Sequence, residues 1–223
     1  MIPRDPSGTG ASDSCLHAAG GWSVTMQFWW YIEWPEAVKQ FTLKFIKNNK
    51  HGKLISINVL EYAALIINYV AATWFFTIDH PDPLDPFPVV LLEADNTTAE
   101  AWLTKACKKS IISRALGRLQ CALMLNNPVG TNAHHLSTIE NKIADGISRF
   151  KSESDTMLGF DSLVQTHPQL SVCRRFHPNP VIFSAIMEAL LHKKCFDPIT
   201  IAALIRTNPG SVTTSTSVNK QAC

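Results

Sequence analysis

Four acidic residues stand where carboxylate chemistry would need them. Asp13 follows a run of small residues, Glu61 interrupts an apolar stretch, Asp95 closes the segment VVLLEA, and Asp145 lies within ENKIADGISR. Each also has an ordinary structural reading. Asp13 suits a turn. Glu61 suits the N3 position of a capping box opened by Asn58. Asp95-Asn96-Thr97 suits a helix N-cap, and Asp145 suits a solvated helix face. Two arguments favour chemistry. A carboxylate ending an apolar strand comes to the rim of a sheet, where α/β proteins build their sites. A charge inside an otherwise apolar helix is costly unless it is paired or bound to a metal. Hard oxygen donors suit Mg²⁺, and carboxylates around two ions roughly 4 Å apart are a recurring device for phosphodiester cleavage.

The elements that must position these acids are partly legible. Residues 1–12 read as loop, with Gly20-Gly21 as a turn or a close backbone approach. The aromatic and β-branched segment Trp22–Trp30 reads as a strand. Pro35 followed by Glu36 opens a helix, Leu54–Ile57 reads as a short strand, and a helix then runs from Asn58 to about Trp74. The Pro-rich loop His80–Pro88 leads to the strand Val89–Ala94. Helices follow from Thr97 to Lys108 and from Ser110 to Leu125, then a strand at Asn132–Leu136 and a helix at Ile139–Phe150. Antiparallel strands first, then strands alternating with helices, predict a mixed sheet with helices packed on it. Beyond a polar linker at 152–155, helices are expected at Pro180–Lys194 and Asp197–Arg206, ahead of a Ser/Thr-rich tail. The expected division is 1–150 for the main domain, 151–207 for a helical extension or spacer, and 208–223 for a disordered tail.

Composition narrows the class. A net charge of +2 over 223 residues does not by itself point to nucleic acid. A local cluster does: Lys105, Lys108, Lys109, Arg114 and Arg118 could follow a phosphate backbone, or simply form a solvated helix face. The six cysteines, Cys15, Cys107, Cys121, Cys173, Cys195 and Cys223, form no CxxC pair or zinc spacing and read as free thiols of a reducing, intracellular compartment. The apolar run Leu60–Ile78 has transmembrane length. Glu61 and Asn68 within it, and the absence of flanking basic clusters, favour a buried core helix.

The segments carrying the acids resemble those of retroelement ribonucleases H. ADNTTAEAW (Ala94–Trp102) is similar to a TDNTTA segment, and HLSTIENKIADGISR (His135–Arg149) to HIPGxxNxxADxLSR. SINVLEYAALI (Ser56–Ile66) resembles INxLELxA, and SDSCLHAAGGWS (Ser12–Ser23) a first hairpin of SDAS…GGW type. The four segments occur in the family's order over residues 12–150. The DIRS-like and Gypsy-like retroelements are the nearest in pattern. The chain departs from it at Ser137-Thr138, in place of Pro-Gly, and in a longer stretch from Trp30 to Lys53.

The resemblance implies a ribonuclease H-like mixed five-stranded sheet with helices on both faces, plus a helical C-terminal extension. It implies a metal-dependent endoribonuclease that hydrolyses the RNA strand of an RNA·DNA hybrid with two Mg²⁺ or Mn²⁺ ions. Asp13, Glu61 and Asp95 would hold one ion, Asp13 and Asp145 the other. Glu61, Asn96 and Thr97 would read 2′-hydroxyls, with Asn141 also near the nucleic acid. A reverse transcriptase domain is the implied neighbour, and the chain itself carries no YxDD-like motif. Three alternatives stand beside this reading: a decayed or domesticated copy that binds without cleaving, a membrane-associated protein using residues 60–78, and a transposase or integrase core.

Overall fold

The computed structural model describes residues 5–48, 55–82, 84–105, 110–125, 127–194 and 197–213. Three antiparallel strands open the chain: β1 (Gly8–Ser14), β2 (Ala18–Ser23) and β3 (Phe28–Glu33). The predicted strand Trp22–Trp30 is therefore two strands. A turn at Val24–Gln27 splits it, closed by the Gln27 N–H donating to the Val24 carbonyl at 3.2 Å, with Gln27 at φ 52°. The loop expected over 1–12 gives way to β1 from Gly8, because small residues at Gly8 and Gly10 fit beneath the Met26 and Asn68 side chains.

Alternation in β3 shows how the sheet is covered. Phe28, Trp30 and Ile32 join the larger core on one face, while Trp29 and Tyr31 join a smaller core on the other. The larger core is capped by α2 (Ile57–Trp74), α3 (Thr97–Thr104) and α4 (Ile111–Met124), and α1 (Glu36–Asn48) adds Val38 to it. The smaller core lies under α5 (Lys142–Ser148) and α6 (Thr156–Thr166). Strands β4 (Val89–Ala94) and β5 (Gly130–His135) run parallel to β1 on one side of the meander. The short strand expected at 54–57 is absent from its described part, Ile57 already being helical.

The long apolar helix α2 continues into a π-helical turn at Phe75–Asp79. Its apolar surface faces the chain's own sheet and helices, with 94% of the membrane-length window buried. Burying each large aliphatic side chain there is worth about 1.5–3 kcal/mol. Two of its polar side chains are met from within: Trp30 Nε1 donates to Asn68 Oδ1 at 3.0 Å, and Tyr62 donates to Gln120. Little of its apolar surface is left over for lipid.

Among the described residues the sheet has seven strands rather than five, in the order β5-β4-β1-β2-β3-β6-β7. The two extra strands come from residues expected as a helical extension and a tail. β6 (Arg174–Pro178) runs parallel to β3, and β7 (Gly210–Thr213) antiparallel to β6. Helices α7 (Pro180–His192) and α8 (Pro198–Thr207) send Ile182, Ile186, Leu190, Ile201 and Ile205 into the larger core. The described residues of 151–213 thus share the sheet and core of those of 5–150, and 214–223 lie outside the described residues.

Candidate metal centre

Asp13, Glu61 and Asp95 converge. Each offers a carboxylate oxygen, and these atoms lie within 4.8 Å of one another. Two are brought together by strand register. Parallel pairing sets Gly8 against Val90 and Ala11 against Glu93. The same step carried two residues on brings Asp13 level with Asp95 at the rim. The third arrives by helix phase. Asn68 lies over Gly10 of β1. Glu61, two turns earlier on the same face of α2, is about 10 Å back along the axis, which places it at the Ser14 end of the strand.

Glu61 lies in the second turn of α2, so it is not the capping partner of Asn58. The N-cap is Ser56, without a side-chain cap bond. Asn58 instead accepts from Asn96 Nδ2 at 3.1 Å. Glu61 is 4% exposed, and its Oε2 has no hydrogen-bond partner among the described residues. Burial, followed by the charges of Asp13 and Asp95, pushes its pKa well above the usual carboxylate range; the Ser14 backbone opposes the rise and a carboxyl contact with Asp13 adds to it. Asp13, 6% exposed, is also raised. Burial is the main cause, partly offset by the Ser148 hydroxyl, which donates to Asp13 Oδ2 at 2.6 Å. Carboxylates that repel one another while one buried oxygen stays unpaired form a donor set that could hold a metal ion, since a divalent cation relieves both penalties.

Asp145 is not part of this cluster. It lies close enough for its charge to raise Asp13, but Arg149 holds it, with Nε and Nη2 at 2.7 and 2.6 Å from Oδ1. This (i, i+4) pairing was readable from spacing; the Ser148–Asp13 bond, spanning 135 residues, was not.

The expected nucleic-acid residues divide. Asn96 is the N-cap of α3, its Oδ1 accepting from the Thr98 and Ala99 N–H groups and its Nδ2 engaged by Asn58. Its polar atoms are spent inside the protein. Thr97 beside it is exposed. Asn141 is buried, and its Nδ2 donates to the Ser12 carbonyl at 3.3 Å, so it ties α5 to β1 rather than facing solvent. Lys105, Arg114 and Arg118 are exposed. Lys108 and Lys109 lie outside the described residues. Cys15, Cys121 and Cys173 are free thiols.

Fold and site together define an α/β domain with an oxygen-donor candidate metal centre at the ends of two adjacent parallel strands. No protein-family profile, curated protein or solved structure matches the chain.

Proposed function

We propose that this chain is a ribonuclease H-like domain of retroelement type that hydrolyses the RNA strand of RNA·DNA hybrids with Mg²⁺ or Mn²⁺. The observation that carries the reading is the convergence of Asp13, Glu61 and Asp95, from three separate elements, around a buried Glu61 oxygen without a partner among the described residues. The first five strands support it as well: a meander joined to two parallel strands, with helices on both faces, is the arrangement the resemblance implies.

The residues fit one divalent ion, which Asp13, Glu61 and Asp95 would hold. A second would share Asp13 with Asp145 once Arg149 releases it. Such ions supply an activated water and stabilise the leaving 3′ oxygen. The chain's own part is to hold the acids in place. Ser148 orients Asp13, and the Asn96 cap fixes the backbone that carries Asp95. Exposed Thr97, Arg114 and Arg118 remain for substrate, in an intracellular setting beside a reverse transcriptase domain.

The Asp145–Arg149 pair favours a second reading, a copy that binds a hybrid without cutting it. One experiment separates the two. The whole chain is given an end-labelled RNA·DNA hybrid with Mn²⁺, Mg²⁺ or chelator. Cleavage confined to the RNA strand, and abolished by chelator, is expected. Hybrid binding without cleavage would favour the second reading. Cutting of a DNA duplex instead would favour a transposase or integrase core.

A further inference from the structure

Helix α5 grips the strand that carries Asp13 at three points. Asn141 Nδ2 donates to the Ser12 carbonyl at 3.3 Å, Ser148 Oγ donates to Asp13 Oδ2 at 2.6 Å, and Cys15 Sγ donates to the Ser148 carbonyl at 3.2 Å. Residues 12, 13 and 15 are thus each tied to one short helix. Gly20 permits the approach. It is the β2 residue opposite Asp13, and a Cβ there would lie 2.4 Å from Ile147 Cγ2.

Of these three bonds, only that of the Ser148 hydroxyl reaches a carboxylate of the cluster. The side chain is fully buried, so water does not compete for its proton. That single proton has two acceptors within range, Asp13 Oδ2 at 2.6 Å and the Asp145 carbonyl at 3.0 Å. The shorter contact is to the carboxylate, and when Asp13 is ionised a hydrogen bond to it is about twice as strong as one to a neutral oxygen. Asp13 needs such a restraint. The charges of Asp95 and Asp145 bear on its carboxylate, and a fixed donor on one oxygen sets how that carboxylate turns against them.

We infer that Ser148 is a positioning residue of the metal centre, its hydroxyl holding the Asp13 carboxylate in the orientation that keeps it within reach of Glu61 and Asp95. The inference rests on the metal-centre reading. It adds a residue that touches no ion but sets the affinity for one. Outer partners of this kind change metal affinity by about 10–100-fold when removed.

The test is Mn²⁺ titration of the whole chain by calorimetry, for wild type, Ser148→Ala, Ser148→Cys and Asp13→Asn, with thermal unfolding of each in chelator. Ser148→Ala is expected to weaken Mn²⁺ binding about 10-fold or more. Ser148→Cys fills nearly the same space with a poor donor, and is expected to weaken it too while keeping a melting temperature near wild type. A merely structural role would lower the melting temperature and leave Mn²⁺ affinity of the folded chain unchanged, and that result overturns the inference. Wild-type affinity in Ser148→Cys overturns it as well, should Ser148→Ala fail to fold. If wild type binds Mn²⁺, Asp13→Asn does not and both Ser148 variants do so at wild-type affinity, this inference alone falls. If wild type binds none, the metal-centre reading falls with it.

Discussion

The two ends of α2 treat a carboxylate in opposite ways. At the Ser14 end, Glu61 is buried with an oxygen that has no partner among the described residues and two acids beside it, and its pKa is pushed well up. At the far end, Asp79 closes the π-helical turn with both oxygens engaged. Arg174 Nη1 donates to Oδ1 at 3.1 Å, Arg174 Nη2 and His80 Nδ1 meet Oδ2, and Arg174 in turn lies over the Trp74 ring. Burial nudges Asp79 upward, but Arg174 and then His80 outweigh it and hold it below its ordinary value. An acid placed for stability brings its cation with it. Glu61 has none among the described residues, and that difference is what marks it as a candidate ligand.

The contrast can be broken in several ways. The largest effect expected is on cleavage: Glu61→Gln should cost about 100-fold or more in Mg²⁺-dependent hybrid hydrolysis, while Asp79→Asn leaves the rate near wild type in the same gel assay. Next comes metal-linked stability. Mn²⁺ at 100 times its dissociation constant should add about 2.7 kcal/mol, read as a rise in melting temperature that Asp79→Asn retains and Glu61→Gln loses. Equal rises in both variants would place the ion elsewhere.

Smaller is the cost of Asp79→Asn itself, about 1–2 kcal/mol by urea unfolding. The pair is only partly buried, so it stays below the 3–5 kcal/mol or so of a fully buried one. In chelator, Glu61→Gln should instead raise the melting temperature, since it removes a repelled charge.

The pH dependence has opposite signs at the two ends. A raised folded pKa means that Glu61 contributes most while protonated, so metal-free stability declines as pH climbs above 4.5. A lowered folded pKa means that the Asp79 contribution is present above 3.8 and is lost as pH falls through its folded value. Glu61→Gln should flatten the first limb of a melting-temperature profile, and Asp79→Asn the second; a swap of limbs would refute the assignment. The smallest effect is on substrate. Arg114→Gln with Arg118→Gln should reduce the slope of log affinity for a hybrid against log salt by roughly 0.9 for each phosphate no longer neutralised. An unchanged slope makes them a solvated face.

Much of this was open to reading along the chain. The α2 segment, the strand Val89–Ala94, the helix starting at Thr97 and the prominence of Asp13, Glu61 and Asp95 follow from apolar runs, turn residues and charges set against them. These signals are local, and they survive folding because backbone hydrogen bonding and side-chain periodicity act over a few residues. Gly20-Gly21 was ambiguous between a turn and a close approach, and the packing of Ile147 against Gly20 shows it to be the latter.

Partners were less legible than positions. Asn58 and Glu61 sit at capping-box spacing, yet they serve different neighbours, because α2 starts two residues earlier than its cap signals suggest. Asn141 looked free to meet a substrate and is buried against Ser12. Strands β6 and β7 escaped notice, since Arg174–Pro178 and Gly210–Thr213 are short and lack alternating apolar residues; their pairing with β3 and with each other makes them strands.

The amino-acid sequence by itself determined which residues are acidic, which runs are apolar and where most helices begin, since those depend on side chains near one another along the chain. Only the tertiary structure decided that Asp13, Glu61 and Asp95 form one cluster while Asp145 is held by Arg149 and Asp79 by Arg174. Parallel register, helix phase and close approach at glycine join distant segments, and a carboxylate becomes a candidate ligand or a structural anchor according to the charge that folding brings beside it.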